Sequence, residues 1–388
     1  MSRSSGRIGM GVLVGTALAA GATVLQREIV RRAGQRLIDW DAVRDIAVRR
    51  LGDQARPISP NARRRAEAFY RETLLKIEPV VEEEIGARLP EALEVPAVAD
   101  RVQWVDVNLA TFEHLFGRVE EVLVTSQRGP DTASRAIARV VNRRLTNQQL
   151  GFLMAFLARK VLGQYDVSLL AIGPSPRGRL YFVDQNVEAT ARALGVPLDR
   201  FRVFIALHEV THAFEFEAYP WLRDHFASEV RTTIETFAAD AGRMAERVRR
   251  TLLRPGRGHW LERMMSADQL RAFRRTQALM ALLEGYSSHV MNAAGARLLP
   301  EFEQLHARFE RRGERRGALE RAIMRITGLD LKMEQYSAGE RFVRTVIASR
   351  GRSFFNQVWE SPSTLPSFDE IEHPDRWVGR MAARVTAA

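Results

Sequence analysis

Apolar positions recur at helical spacing over most of the chain. After Ser59-Pro60-Asn61, the residues Ala66, Phe69, Tyr70, Leu74 and Ile77 fall on one face, which predicts a helix over 60–88. The same periodicity predicts helices over 105–125 and 132–162. The texture then changes. Residues 166–172 (DVSLLAI) and 180–183 (LYFV) are short β-like runs separated by the turn cluster Gly173-Pro174-Ser175-Pro176-Arg177-Gly178, so a β-hairpin is expected there. Helical pattern resumes at 186–194. It continues from about Asp199, read as an N-cap, to just before Pro220. Further helices are expected over 223–253, 266–294, 299–312, 316–327 and 330–349. The stretch from Trp359 to Trp377 is loop-rich, and its tryptophans predict that it packs back on the body. The fold class expected is mostly α with a small β-hairpin or sheet (α+β).

Residues 1–30 form an apolar N-terminal segment, and 31–388 read as a single domain or as two helical lobes flanking a cleft. Residues 8–25 carry no charge, but glycine, alanine and threonine make them only marginally hydrophobic for spanning a membrane. A membrane anchor, a signal peptide and a helix packed on the body all fit this pattern. Arginines are denser after the segment (Arg27, Arg31, Arg32, Arg36) than before it (Arg3, Arg7). That asymmetry argues against export. An anchor of this kind would leave the domain in the cytoplasm, on the inner face of the membrane.

Composition narrows the chemistry. Of 388 residues 46% are hydrophobic, enough for a sizeable core, and there is no cysteine. Disulfides, thiolate metal sites and thiol nucleophiles are therefore excluded, and a metal must be held by His, Asp or Glu. The formal charge of +11 invites a nucleic-acid reading. However, lysine occurs only at Lys76, Lys160 and Lys332, and the densest arginine run, 308–316, is interleaved with glutamates. A solvated helix end explains that run as well as a binding patch does, so no nucleic-acid partner is expected.

The segment 201–219 reads FRVFIALHEVTHAFEFEAY, and within it His208-Glu209-Val210-Thr211-His212 matches HExxH. Positions i and i+4 of a helix lie on one face, one turn apart. Two imidazoles so placed can share a zinc ion at about 2.0–2.1 Å from each nitrogen. Glu209, beside the first ligand, is then placed to act as general base on the attacking water. The apolar run Val203–Leu207 marks a buried helix, where two histidines and a glutamate would be costly without a shared partner. One Zn2+ per chain is expected.

A third ligand is needed. The metzincin extension would place glycine at 215 and histidine at 218, whereas the chain has Glu215 and Ala218. Glu284 fits instead, as a lone acid in the apolar stretch Ala278–Leu283. Glu235 and Asp240 compete from a more polar segment. His289 lies about 140° round the helix from Glu284, so it reads as a cleft wall or polar contact rather than a ligand. His114, His225, His259, His306 and His373 show no partner pattern. Trp221, Trp359 and Trp377 read as packing.

Several stretches resemble a family of bacterial zincin-like zinc-dependent metalloproteases or hydrolases, associated by genome co-occurrence with biosynthesis of the deazaflavin redox coenzyme. They are Ile38-Asp39-Trp40-Asp41, Ala206–His212, Pro220-Trp221-Leu222-Arg223, Leu282-Leu283-Glu284-Gly285, Gly328–Tyr336 and Val358-Trp359-Glu360-Ser361-Pro362. The resemblance implies a zinc site of His208, His212 and Glu284, with Glu209 as base. It also implies an acid four residues after Glu284, orienting a zinc-bound histidine. The chain has Ser288 there, which predicts weaker zinc binding.

The activity expected is hydrolysis of an amide in a peptide or protein substrate, with the strand Leu180–Val183 aligning an extended peptide by strand addition. Asn186 is a candidate for holding the substrate backbone or capping a helix. Tyr286, His289 and Tyr336 are candidate oxyanion donors. Two other readings remain: a catalytically silent zincin acting as a binding or assembly protein, and a basic nucleic-acid-binding helical protein.

Overall fold

The computed structural model describes residues 38–89, 93, 96–126, 133–165, 179–239, 265–314 and 331–387. The chain is mostly helical with a small sheet, as its periodicity predicts. Helix α1 (Trp40–Leu51) starts at an Asp39 N-cap whose side chain accepts from the Ala42 amide at 3.0 Å. Helix α2 (Pro60–Ile85) begins with Ser59 at the cap and proline in the first turn, and it stops at Gly86 with φ 73°. Both ends follow from residue type. Proline's missing amide costs nothing at a helix start, and glycine adopts the left-handed cap without strain.

Strand β1 (Ala97–Val98) leads to α3 (Arg101–Ser126) and α4 (Ala133–Ala158), followed by β2 (Gly163–Tyr165) and β3 (Leu180–Phe182). The sheet order is β1-β3-β2, with β3 parallel to β1 and antiparallel to β2. This corrects two expectations. The described partner of β3 is Gly163–Tyr165, while 166–172 lies outside the described residues. Strand β3 is also central, paired on both sides, so it cannot take up an added strand. The edges belong to β1 and β2.

Helices α5 (Asp184–Leu194), α6 (Leu198–Glu217) and α7 (Pro220–Ala239) follow in close succession. Then come α8 (Ala267–Leu298), α9 (Phe302–Glu314), α10 (Leu331–Arg350), α11 (Arg352–Phe355), α12 (Phe368–Glu372) and α13 (Pro374–Ala387). Helix α6 begins one residue before Asp199, with Pro197 at the cap position and Asp199 inside the first turn. Its buried residues, Phe201, Phe204–Leu207, Glu209–Thr211 and Ala213–Phe216, surround the axis. A helix apolar all round belongs in a core. Helix α8 starts at a capping box in which Ser266 and Gln269 bond each other's backbone amides at 3.3 and 2.8 Å.

The main core wraps α6 with side chains of α2, α8 and α10 and of the C-terminal region, including Trp359 and Trp377. A second apolar cluster joins α1, α3 and α4. Trp359 and Trp377 are 2% and 0% exposed, so the C-terminal stretch does pack back on the body. Their neighbours hold hydrogen bonds at 2.8 Å: the Trp221 indole donates to the Trp359 carbonyl, and the Trp377 indole to the Thr364 carbonyl. No helix among the described residues is long and apolar enough to cross a membrane. Residues 8–25 lie outside them.

Candidate metal centre

Two helices build the site. Helix α6 carries His208, Glu209 and His212, and α8 carries Glu284. The two imidazoles meet edge-on with ring centres 4.7 Å apart, one helical turn from each other. Nε2 of His212 lies 3.8 Å from Oε2 of Glu284. One ligand atom from each of His208, His212 and Glu284 falls within 4.8 Å of the others. Glu235, the rival from α7, is exposed and outside this group, and Asp240 lies outside the described residues.

The position of Glu284 depends on a backbone contact. A Cβ on its neighbour Gly285 would stand 2.2 Å from the carbonyl carbon of Gly339, and one on Gly339 would stand 1.9 Å from the Ala281 oxygen. Only glycine fits both positions, so α8 and α10 cross in direct main-chain contact beside the ligand.

The outward nitrogens of the histidines are held differently. Nδ1 of His212 bonds Oε2 of Glu215 at 2.9 Å, and Glu215 is 1% exposed. Nδ1 of His208 faces Ser287 Oγ at 3.3 Å and Met291 Sδ at 3.2 Å. Glu284, Ser287 and Met291 are spaced i, i+3, i+7, so a single face of α8 serves the ligand set. In both rings this arrangement leaves Nε2 as the ligating atom. The carboxylate partner foreseen four residues after Glu284 is thus supplied by the motif helix itself. Ser288 does not deprive His212 of an acid.

Electrostatics reflect the crowding of carboxylates. Burial alone would lower the pKa of His212, but Glu215, Glu284 and Glu209 outweigh it and raise it to about 9. Burial raises Glu215 to about 7, against the pull of His212. A cation is what this cluster of two imidazoles and nearby carboxylates would stabilise. The donor set, with neutral imidazole nitrogens and a carboxylate, suits zinc.

Glu209 is 8% exposed, and its Oε2 accepts the Tyr165 amide of β2 at 3.0 Å. The strand comes this close because residue 163 is glycine. A Cβ there would stand 2.6 Å from Glu209 Cγ. The Val183 amide donates to the Leu162 carbonyl. Hydrogen-bonded pairs alternate along an antiparallel ladder, so the main-chain groups of Gly163 and Tyr165 face away from β3, toward the motif helix. Strand β2 is fixed at its far end as well. The Tyr165 hydroxyl donates to Glu217, while Arg223 donates to the Tyr165 hydroxyl at 3.0 Å and to Glu217 at 2.6 Å.

The other candidates fall elsewhere. Asn186 is 2% exposed and donates to the Ala158 and Val161 carbonyls at 2.8 and 2.7 Å, so it braces α5 against the end of α4 and holds no substrate. Tyr286 is 2% exposed with its ring against Phe355 and Trp359, turned into the core, and burial raises its pKa. His289 is half-buried, its pKa lowered by burial and by Arg352. Neither joins the ligand group. The Tyr336 side chain lies outside the described residues. A cavity of about 1090 Å³ lined by His225, Leu282, Pro362 and Phe368, among others, contains none of the motif residues.

Residues missed by sequence reasoning are Glu215, Ser287, Met291, Gly163 and Tyr165. One signal was available. Glu215 is an acid in an apolar helix three residues from His212, hence on its face.

Residues 38–378 match the model of the zincin-like metallopeptidases. The chain belongs to that family. It is also similar to a crystal structure from Chloroflexus aurantiacus, described as a candidate hydrolase with a novel fold. The two share 38% identity and a TM-score of 0.67 over 89% of this chain and 99% of that one. No curated protein matches.

Proposed function

We propose that the protein is a zinc-dependent hydrolase acting on an amide, most simply a peptide bond, with His208, His212 and Glu284 as ligands and Glu209 as general base. The observation that carries this reading is the convergence of the three ligand atoms within 4.8 Å on two buried helices, with Glu209 beside them. Zinc held there would polarise the scissile carbonyl and acidify water. The remaining steps fall to the chain's own groups. The Tyr165 amide fixes one oxygen of Glu209, whose carboxylate accepts the proton of the attacking water and delivers it to the leaving amine.

The close cover of Glu209 by β2 favours a second reading, a zincin that keeps its site without useful turnover. Glu209→Gln decides between them. General-base catalysis is worth about 10²–10⁴-fold, so hydrolysis of a peptide library is expected to fall by that order with zinc content and fold unchanged. A zinc-loaded wild type inactive on every peptide would support the silent reading. Equal activity in wild type and variant would remove Glu209 from the mechanism.

A further inference from the structure

Two charges near the site stand where their helices do not favour them. Glu217 is the last residue of α6, and Arg223 lies three residues from the start of α7. A helix dipole favours cations at its C-terminus and acids at its N-terminus, so both side chains are placed against it. They pair at 2.6 Å in half-buried positions, where desolvation offsets much of the attraction. Helix stability therefore does not account for them. What they share is the Tyr165 hydroxyl, which donates to Glu217 and accepts from Arg223 at 3.0 Å. With its proton and a lone pair both engaged, that hydroxyl is fixed in space.

Tyr165 meets the motif helix at a second point. Its amide donates to Oε2 of Glu209 at 3.0 Å. Glu209 and Glu217 are eight residues apart on α6, roughly 12 Å along the axis. One residue of β2 thus spans the helix from the candidate base to its last turn. A strand attached at a single point can slide or pivot, whereas one attached at two points cannot. Tyr165 is 6% exposed, and its ring stacks on Phe216 at 6.0 Å. Gln164, on the opposite face of the strand, accepts the Trp104 indole of α3 at 2.7 Å. The ladder to β3 has only three residue pairs, so these side-chain ties carry much of the strand's placement.

We propose that Glu217 and Arg223 are positioning residues for the general base. They hold the Tyr165 hydroxyl, the hydroxyl holds β2 along α6, and the Tyr165 amide holds one oxygen of the Glu209 carboxylate. The role in turnover rests on the reading of Glu209 as the base. The coupling of hydroxyl to amide does not.

Tyr165→Phe removes only the hydroxyl and leaves Glu217 and Arg223 paired, so no charge is stranded. Amide hydrogen exchange in the zinc-loaded protein reads the coupling without any substrate. Exchange at residue 165 should quicken about tenfold or more while the α6 amides are unchanged. An unchanged rate at residue 165 would overturn the proposal. With a cleaved peptide as substrate, Tyr165→Phe and Glu217→Ala should each lower kcat about tenfold or more, with KM and zinc content retained. Glu217→Gln, whose amide oxygen still accepts from both partners, should keep kcat within about threefold of wild type. In a Glu209→Gln background Tyr165→Phe should add no further loss. A lower Tm with kcat unchanged, or a loss carried in KM, would overturn the positioning role. If the zinc-loaded wild type cleaves no peptide, the hydrolase reading fails, while exchange at residue 165 still decides whether the hydroxyl holds the amide on Glu209.

Discussion

Glu215 holds Nδ1 of His212 at 2.9 Å from three residues further along the same helix. Ligand and orienting carboxylate therefore move as one rigid unit, and the helix that presents the imidazole also fixes its tautomer. Carboxylate partners of metal-bound histidines contribute about 10–100-fold to affinity. Glu215→Ala is expected to weaken zinc binding by that factor in a chelator competition, whereas Ser288→Ala should leave it within about twofold. The reverse ranking would return the orienting role to position 288.

The ligand set itself predicts stoichiometry. Elemental analysis of the purified protein should find one zinc per chain. His208→Ala, His212→Ala and Glu284→Ala should each lose it, and Glu235→Ala, altering an exposed residue of α7, should retain it. Equal zinc in all four variants would place the metal elsewhere.

The pH dependence has a definite sign. His212 is raised from 6.5 to about 9 and Glu215 from 4.5 to about 7 in the metal-free protein. A group whose pKa is higher folded than unfolded favours the fold most below its unfolded pKa, and this advantage is lost as pH rises through the folded value. The chelated protein should therefore lose Tm across roughly pH 4.5–9, the upper part of that window coming from His212. Zinc must displace the His212 proton, so its affinity should climb about tenfold per pH unit up to about 9. A plateau in affinity above pH 6.5 would show that His212 carries no such shift.

Gly163 gives a separate handle on catalysis. A methyl group at this position would collide with Glu209 Cγ and Cδ at 2.6 and 2.8 Å. Glu209 is not a ligand in this scheme, so Gly163→Ala should displace the base without displacing zinc. The expected result is hydrolysis reduced at least tenfold with full zinc content. Unchanged activity would mean that β2 stands clear of Glu209 during turnover.

The sequence revealed those parts of the molecule whose signals are local. The helix starts at Ser59 and Ser266 are side-chain caps, and Glu284 is an acid in an apolar run, so both could be read from neighbouring residues. The sheet could not. Strand β2 is three residues long and pairs with β3 across an interval of fourteen residues, so no alternation had room to develop. Glu215 stands where the metzincin extension has a glycine, and that comparison hides its own chemistry. Like Glu284, it is an acid in an apolar helix and too costly to bury alone. Gly163 carries no sequence signal, since its meaning lies in what comes to rest beside it.

The glycine pair at the crossing of α8 and α10 bears on how the centre can be disturbed from a distance. Side chains between packed helices usually absorb small shifts by changing rotamer. At Gly285 and Gly339 there is no such cushion, and main chain rests on main chain. A shift of α10 therefore meets the main chain of the residue next to Glu284 directly. Helix α10, remote from the motif in sequence, thus bears directly on the helix whose carboxylate completes the ligand set.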